Sequence, residues 1–517
     1  TIDAAEFRTH VARLASDEFE GRKPGTRGER ITIEYLESQF KRLGLTPGNG
    51  NDYTQRVPIV EITAATDASL RLGSRTLRYP EDAVIWTKRV ETTAELRDSP
   101  LVFVGYGVVA PEYGWNDYAG LDMRGKTAVI LVNDPGWNGD DPKLFNGRAM
   151  TYYGRWTYKF EEAARQGAAG ALIIHETVPA AYGWESVQNS WTGPQLDMAS
   201  ADGNRGRVQV EGWITLPEAE QLLGAAGVSY AEAVQRANVR GFRGFDLGAT
   251  ASANLRNSIR KSDSQNVIGV IPGSKRPNEY VFYMAHWDHL GRTLGRSGDT
   301  IFNGAADNAT GTAGLLAIAE AFQRSGRPPE RSVVFLAVTA EEAGLLGSAY
   351  YVAEPIYPVA QTVAVLNMDN IAFGGPTRDV SVVGMGASEL EEYLARYAAR
   401  QDRVLRAEPT PEKGFFYRSD HFNFAKAGVP ALYFKLGIDD RANGAAWGQQ
   451  QQDDFTANRY HKVSDEYRDD VDLRGAVEDL ELNYAIGRQL AREQGFPNWY
   501  PQNEFRAVRD RSRAIMQ

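Results

Sequence analysis

Five short runs carry side chains able to do hydrolytic chemistry. His286-Trp287-Asp288-His289 ends an apolar run, and Asp307-Asn308 sits in a Gly/Ala-rich loop that leads into a helical pattern. Glu341-Glu342 and Asp369 follow two further apolar runs, and Tyr460-His461 lies in a late loop. Imidazole nitrogens and carboxylate oxygens are the ligands that zinc and similar cations take, and a catalytic site keeps one position open for water. Two histidines and three carboxylates hold two ions when one carboxylate bridges. A further carboxylate then remains to take the proton from a bound water. Taken singly, each residue also has a plain structural role: a His after a strand is commonly a satisfied polar group, an Asp before a helix a cap, and a Glu pair an exposed helix start. Of the other histidines, His10 and His175 are assigned to structure, while His289 and His421 are balanced between a structural and a chemical role.

The elements that must position these groups alternate. From Asn266 onward, β-branched and aromatic runs at 267–271, 280–284, 332–338, 362–368 and 431–434 are interleaved with helical patterns at 314–322 and 387–400. Such alternation predicts an α/β fold with a mixed, mostly parallel central sheet and helices on both faces. Ligands of open α/β sheets gather at the carboxyl ends of the strands, which is where His286, Glu341, Glu342 and Asp369 fall. Two helices open the chain: Asp3 with Glu6 caps the first, and Thr26 with Glu29 forms a capping-box pattern for the second. Between them and the alternating region, short strand-like runs (68–72, 101–104, 128–132, 171–174, 208–214) and helical patterns at 158–166 and 217–225 read as a β-rich module of its own. A Ser/Asn/Arg/Lys-rich linker near Ser252 closes that module. The expected organisation is 1–60 and 256–517 as one domain, with 61–255 inserted. Gln449–452 reads as loop.

At 517 residues the chain is too long for one ordinary core. Its net charge of −10 argues against nucleic acid or an anionic membrane as partner, and no apolar stretch is long enough to span a bilayer. The absence of cysteine excludes disulfides, thiolate metal sites and cysteine nucleophiles. It also fits an exported, periplasmic or extracellular protein whose leader is not part of this chain, which begins at Thr1.

The motifs together resemble those of the M28 family of dinuclear zinc peptidases. The likeness lies in the segments 285–291, 304–311 and 339–348, in Asn367-Met368-Asp369 and in Tyr460-His461, and it extends to 15–26 near the N-terminus. It implies two Zn²⁺ ions, one held by His286 and Asp369, the other by Glu342 and His461, with Asp307 bridging. Glu341 is then the general base, Asp288 orients His286, and Tyr460 steadies the oxyanion. Arg418, in the segment Arg418-Ser419-Asp420-His421, lines the substrate pocket. The resemblance also implies a cis peptide at Asp307–Asn308. His289 becomes a loop residue with a structural role. The inserted module resembles a protease-associated (PA) domain, which covers the cleft without supplying metal ligands.

The implied function is that of an aminopeptidase: a metal-dependent exopeptidase that uses zinc-bound hydroxide to hydrolyse N-terminal residues from peptides with a free N-terminus. A carboxypeptidase acting on acidic C-terminal residues is the alternative among enzymes. A single-zinc glutaminyl cyclase fits the ligand set less well. A catalytically inactive binding or receptor module on the same scaffold is the alternative outside them. Residue preference, native metal and oligomeric state are not encoded in these motifs.

Overall fold

The computed structural model describes residues 1–293 and 297–517. Positions 294–296, inside the motif-bearing stretch 284–311, lie outside the described residues. The chain forms two compact units. One comprises Thr1–Pro58, Asp263–Pro409 and Arg418–Gln517, and the other Ile59–Ser262 and Thr410–Tyr417.

In the first unit the strands Arg331–Val338, Arg276–His286, Thr362–Asn367 and Ala431–Leu436 lie side by side and all run parallel. Antiparallel neighbours flank them: the end of the long strand Phe245–Ile271 on one side and Asp379–Val382 on the other. Both faces are covered, and the strand through Phe282 and Tyr283 shows why. Successive side chains of a strand point to opposite faces, and here both sets are apolar. Phe282 meets Tyr351 and Phe424 of the helices Leu346–Ala353 and His421–Lys426. Tyr283 packs on the other side against Phe322 and Phe335 and donates its hydroxyl to Asn483 O at 2.8 Å. Position 487 must therefore be glycine, since a Cβ there would sit 1.7 Å from that hydroxyl oxygen.

The helices Ala4–Leu14 and Arg27–Arg42 open the unit. Asp3 caps the first by accepting from the backbone N–H of Ala5 and Glu6. The capping box expected at the second does not form. The Thr26 hydroxyl donates to Lys23 O, and Glu29 instead receives the Ser264 hydroxyl. The tertiary partner wins over the local one, and burial followed by that hydrogen bond leaves the Glu29 pKa raised to about 7.

His10 confirms its structural assignment. Its ring is buried with Nδ1 2.6 Å from the Tyr35 hydroxyl. Burial, then the charge of Arg42, lowers its pKa to about 4, and the exposed Glu6 carboxylate 3.9 Å away does not offset this. The folded state thus favours neutral His10. Its contribution is complete above the unfolded value and is lost as pH falls from there towards the folded one. Between pH 7 and pH 5 the wild type should lose about 2 kcal/mol that a His10→Gln variant does not lose. Urea midpoints at the two pH values check this, and equal pH slopes would contradict it.

In the second unit the end of Thr93–Phe103 and the strands Thr127–Leu131, Gly170–His175 and Val210–Thr215 form a parallel sheet, edged by antiparallel Ala83–Trp86. The helices Trp156–Arg165, Leu216–Ala225 and Tyr230–Ala237 accompany it. Thr410–Tyr417, which the sequence places in the other domain, belongs to this unit: Met150 N–H donates to Pro411 O, and Tyr152 packs against Tyr417. His175 contacts Tyr182 O at 2.9 Å, again a structural histidine.

Two local expectations are corrected. The supposed linker near Ser252 is part of the continuous strand Phe245–Ile271. Its polar residues alternate with buried Ala251, Ala253 and Leu255, and residues 251–254 pair with the strand Ser69–Leu72. Gln449–452, read as loop, lies inside the helix Gly444–Asn458. Glutamine is a good helix former, and Gln449 with Asp453 and Asn458 with Asp454 make i,i+4 hydrogen bonds along the helix.

Candidate metal centre

Parallel register puts the carboxyl ends of three adjacent strands together. His286 is opposite Val338, and Met284 is opposite Asn367. The Glu341-Glu342 turn and Asp369 therefore leave the sheet beside His286. Asp307 comes from the turn before the helix Thr310–Arg324, and His461 from the loop after Gly444–Asn458.

The side chains converge as two sets that share one residue. His286 Nε2 lies 3.3 Å from Asp307 Oδ1 and 3.2 Å from Asp369 Oδ1. His461 Nε2 lies 3.0 Å from Asp307 Oδ2 and 3.0 Å from Glu342 Oε2. Each oxygen of Asp307 thus faces a different imidazole, and each imidazole has its own terminal carboxylate. Ligand atoms of His286, Asp307 and Asp369 lie within 4.8 Å of one another, as do those of His289, Asp307 and Glu342, and such hard and borderline ligands with no thiolate suit zinc or a similar divalent cation. The fourth carboxylate, Glu341, stands further out, with Oε2 3.6 Å from His286 Nε2.

The neighbouring groups hold this arrangement. Asp288 lies against His286 Nδ1, with its backbone oxygen at 3.1 Å and Oδ1 at 3.3 Å. It does more than orient His286, since its two carboxylate oxygens accept from the backbone N–H of Glu341 and Glu342. One carboxylate thereby fixes the turn that carries both the candidate base and a candidate ligand. Asn308 ties the Asp307 turn to two strand ends, donating to His286 O and Met368 O and accepting from Gly311 N–H and Asn370 N–H. The peptide Asp307–Asn308 is cis, as the motif resemblance implied.

Sequence reasoning missed four contributors. Asp465 accepts from the backbone N–H of Ala306 and Asp307, so the His461 loop and the Asp307 turn form one assembly. An acidic residue four positions after the loop histidine was the available signal. Ser419 donates to Asp369 Oδ2 at 2.5 Å and accepts from the Asn367 amide. His289, assigned a structural loop role, contacts Glu342 Oε1 through Nδ1 at 3.0 Å. Arg22 is buried and donates to Trp287 O, Leu14 O, Asn303 O and Gly304 O. Arg22 and Ser419 lie in segments that carry the motif resemblance, but no spacing marks the contacts that they or His289 make.

Tyr460 stacks on His461 with ring centroids 4.0 Å apart, and its hydroxyl lies 3.5 Å from an Arg418 nitrogen. Arg418 and Tyr460 are therefore brought together beside the ligands. His421 contacts the Asn367 amide at 3.3 Å.

The electrostatics follow from burying many charges together. Burial alone would lower the His286 pKa, but Glu341, Asp369 and the bonds to Asp288 and Asp307 outweigh it and raise it well above the ordinary value. Burial would likewise raise Asp307, yet the two imidazoles hold it well below the carboxylate range. Glu342 is held at about 2: burial and Asp307 push it up, and His461 and His289 pull it further down. Glu341 goes the other way. Burial, only partly countered by His286 and reinforced by Glu342 and Asp369, raises it well above the usual value. Neighbouring carboxylates are thus driven apart, Glu342 and Asp307 towards the anion and Glu341 towards the protonated form.

Over its whole length the chain is similar to the aminopeptidase from Aneurinibacillus sp. strain AM-1, with 21% identity, a TM-score of 0.56 and 96% of this chain and 95% of that chain covered. The likeness shows a shared fold. Among sequences, it is 31% identical over 188 residues to the aminopeptidase NAALADL1 of Mus musculus, covering 32% of this chain and 24% of that protein. It is 30% identical over 206 residues to the glutamate carboxypeptidase 2 homolog of Caenorhabditis elegans, covering 38% of this chain and 25% of that protein. The chain thus spans about a quarter of the length of these relatives. Residues 266–484, the segment that carries all five candidate ligands and Glu341, match the family model of Peptidase family M28.

Proposed function

We propose that this chain is an M28-type metallo-aminopeptidase that binds two zinc ions and removes N-terminal residues from peptides. The observation that carries the reading is the double use of Asp307, whose two oxygens face His286 and His461 separately, each imidazole with a terminal carboxylate of its own. Two divalent cations held there supply charge that acidifies a water and polarises the scissile carbonyl.

The protein's own residues do the rest. Glu341 accepts the proton of the attacking water and passes it to the leaving amine. Asp288 keeps the Glu341 carboxylate in place through the backbone, so that transfer is over a fixed distance. Tyr460, held flat by His461, presents its hydroxyl beside the ligands as a donor to the developing oxyanion. Arg418 next to it adds a positive charge for the substrate carbonyl or a carboxylate. The acidic cluster attracts the substrate's α-ammonium.

A second reading, cleavage of acidic C-terminal residues, is favoured by one group the sequence did not single out. Lys435 is buried enough to lower its pKa, and it stands in the fields of Asp369 and Arg418. A pair of cations near the ligands suits a substrate carboxylate. The test is metal analysis followed by assay of the zinc-loaded protein on aminoacyl-nitroanilides and on N-acylated dipeptides ending in Glu. Two ions per chain with turnover of the nitroanilides supports the aminopeptidase. Turnover of only the blocked dipeptides replaces it with the carboxypeptidase, and absence of bound metal makes the chain a binding module.

Two features complete the proposal. The unit Ile59–Ser262 is read as a PA-like insert, supported by the likeness of 102–107, Asp117-Tyr118, Gly125-Lys126 and 159–174 to such domains. The protein is read as exported, supported by its lack of cysteine. Among the described residues, no helix is long and apolar enough to cross a membrane.

A further inference from the structure

The two terminal carboxylates of the centre are built alike. Asp369 turns Oδ1 towards His286, while its Oδ2 receives the Ser419 hydroxyl. Glu342 turns Oε2 towards His461, while its Oε1 lies 3.0 Å from His289 Nδ1. In each case one oxygen faces the shared centre and the other is taken by a neighbouring side chain. We infer that His289 is a positioning residue: it donates from Nδ1 to Glu342 Oε1, which leaves Oε2 as the oxygen offered to the second ion. The inference rests on the two-ion reading given above.

Hydrogen-bond accounting assigns the proton. His289 is fully enclosed, and its Nε2 has no partner among the described residues. A proton on Nε2 alone would leave a buried N–H unmatched and set two acceptors, Nδ1 and Oε1, against each other. A proton on Nδ1 satisfies the carboxylate and leaves only a lone pair unmatched.

The surroundings hold the ring at this task. Its backbone N–H donates to Arg22 O at 3.1 Å. Gly304 is the floor under the imidazole: a Cβ there would sit 2.5 Å from His289 Cγ and 2.6 Å from Cδ2. With φ at 56°, position 304 also adopts a backbone conformation that favours glycine. Gly304 belongs to the turn that presents Asp307, so the ring is wedged between that turn and Glu342. His289 can also be grouped with Asp307 and Glu342 as a metal ligand. What distinguishes His461 is that its Nε2 lies 3.0 Å from both Asp307 Oδ2 and Glu342 Oε2, whereas His289 engages the opposite oxygen of Glu342.

The test is zinc binding by the full-length protein after chelator stripping, titrated against a chromogenic competitor, with bound metal counted by elemental analysis. Wild type should bind two ions. In His289→Phe, which keeps a ring but no donor, one dissociation constant should rise about 10- to 100-fold while the other stays unchanged. His289→Asn places an amide N–H where Nδ1 was, and should return that constant to within about threefold of wild type. His289→Gln, whose amide falls at the Nε2 position, should resemble His289→Phe and stands in for it if the aromatic variant fails to fold. Unchanged binding of both ions by the Phe and Gln variants overturns the inference. So does an Asn variant as weak as Phe, because the imidazole would then be a ligand itself. A wild type that binds no pair of ions overturns the two-ion reading instead, and the two failures are thereby told apart.

Discussion

Glu341→Gln should lower kcat by about 10²- to 10⁴-fold while leaving the bound metal unchanged. The substitution alters little besides basicity. The backbone N–H of Glu341, which donates to Asp288 Oδ1, is retained, so the turn and Glu342 stay in place. The side chain keeps its length, and one amide oxygen still faces the centre. What is lost is an oxygen that can carry a proton through the reaction. Metal content should hold because the two three-residue sets are complete without Glu341, whose carboxylate is the most distant of those facing His286, at 3.6 Å against 3.2 and 3.3 Å. Steady-state kinetics on an aminoacyl-nitroanilide, run beside elemental analysis of the same preparation, checks both halves. Near-wild-type turnover removes Glu341 from the base role. Lost metal with lost activity makes it a ligand.

How far the sequence carried is clearest from what kind of contact each residue makes. His286, Glu341, Glu342 and Asp369 were legible because they follow apolar strands, and strand ends in a parallel sheet gather ligands by topology alone. Asp307 and His461 sit in loops, where no periodicity places them, and only the ordered motif resemblance pairs them with the groups they lie beside. The alternation of strands and helices likewise gave the sheet, including its cover on both faces. Three kinds of feature stayed hidden. One is long-range hydrogen bonding to backbone: Asp288 to the Glu341-Glu342 turn, Asp465 to Ala306 and Asp307, and Arg22 to four carbonyls. Such bonds depend on where chain segments meet, which local composition does not encode. Another is choice between competing partners, as when Glu29 leaves a helix cap for Ser264. The third is polar sequence in regular structure. Residues near Ser252 looked like linker because their exposed positions are polar, although every second side chain is buried. His289 was demoted for a related reason: one histidine per strand end satisfied the ligand count, and nothing in its spacing announced the contact with Glu342.

Replacing Arg22 should do more damage to the fold than any other single change proposed, although no step of the chemistry touches it. Its guanidinium lies buried with four carbonyl oxygens around it, from the end of the first helix, from Trp287 between His286 and Asp288, and from Asn303 and Gly304 just before the Asp307 turn. Two effects compete. Burying a cation is costly, and desolvation lowers the Arg22 pKa to about 10 even though Asp288, Asp465, Asp307 and Glu342 act to raise it. That shift corresponds to roughly 3 kcal/mol, which an apolar side chain would recover. Against it stand four hydrogen bonds from a charged donor, each worth about 1.5–3 kcal/mol and all lost together with the carbonyls left buried. The second sum is the larger, so Arg22→Met should destabilise the first unit by about 4 kcal/mol or more. Arg22→Lys should fall between, because three N–H groups radiating from one atom cannot reach four carbonyls spread over three segments. Urea unfolding followed by a probe in that unit measures the loss, and an Arg22→Met variant within about 1 kcal/mol of wild type would contradict the account. The same variant should also bind metal more weakly, since three of the four carbonyls it abandons belong to the two segments that present His286 and Asp307. A variant that is destabilised yet binds both ions as wild type would confine Arg22 to the fold, whereas coupled loss makes it the strut that holds the two halves of the centre at their working distance.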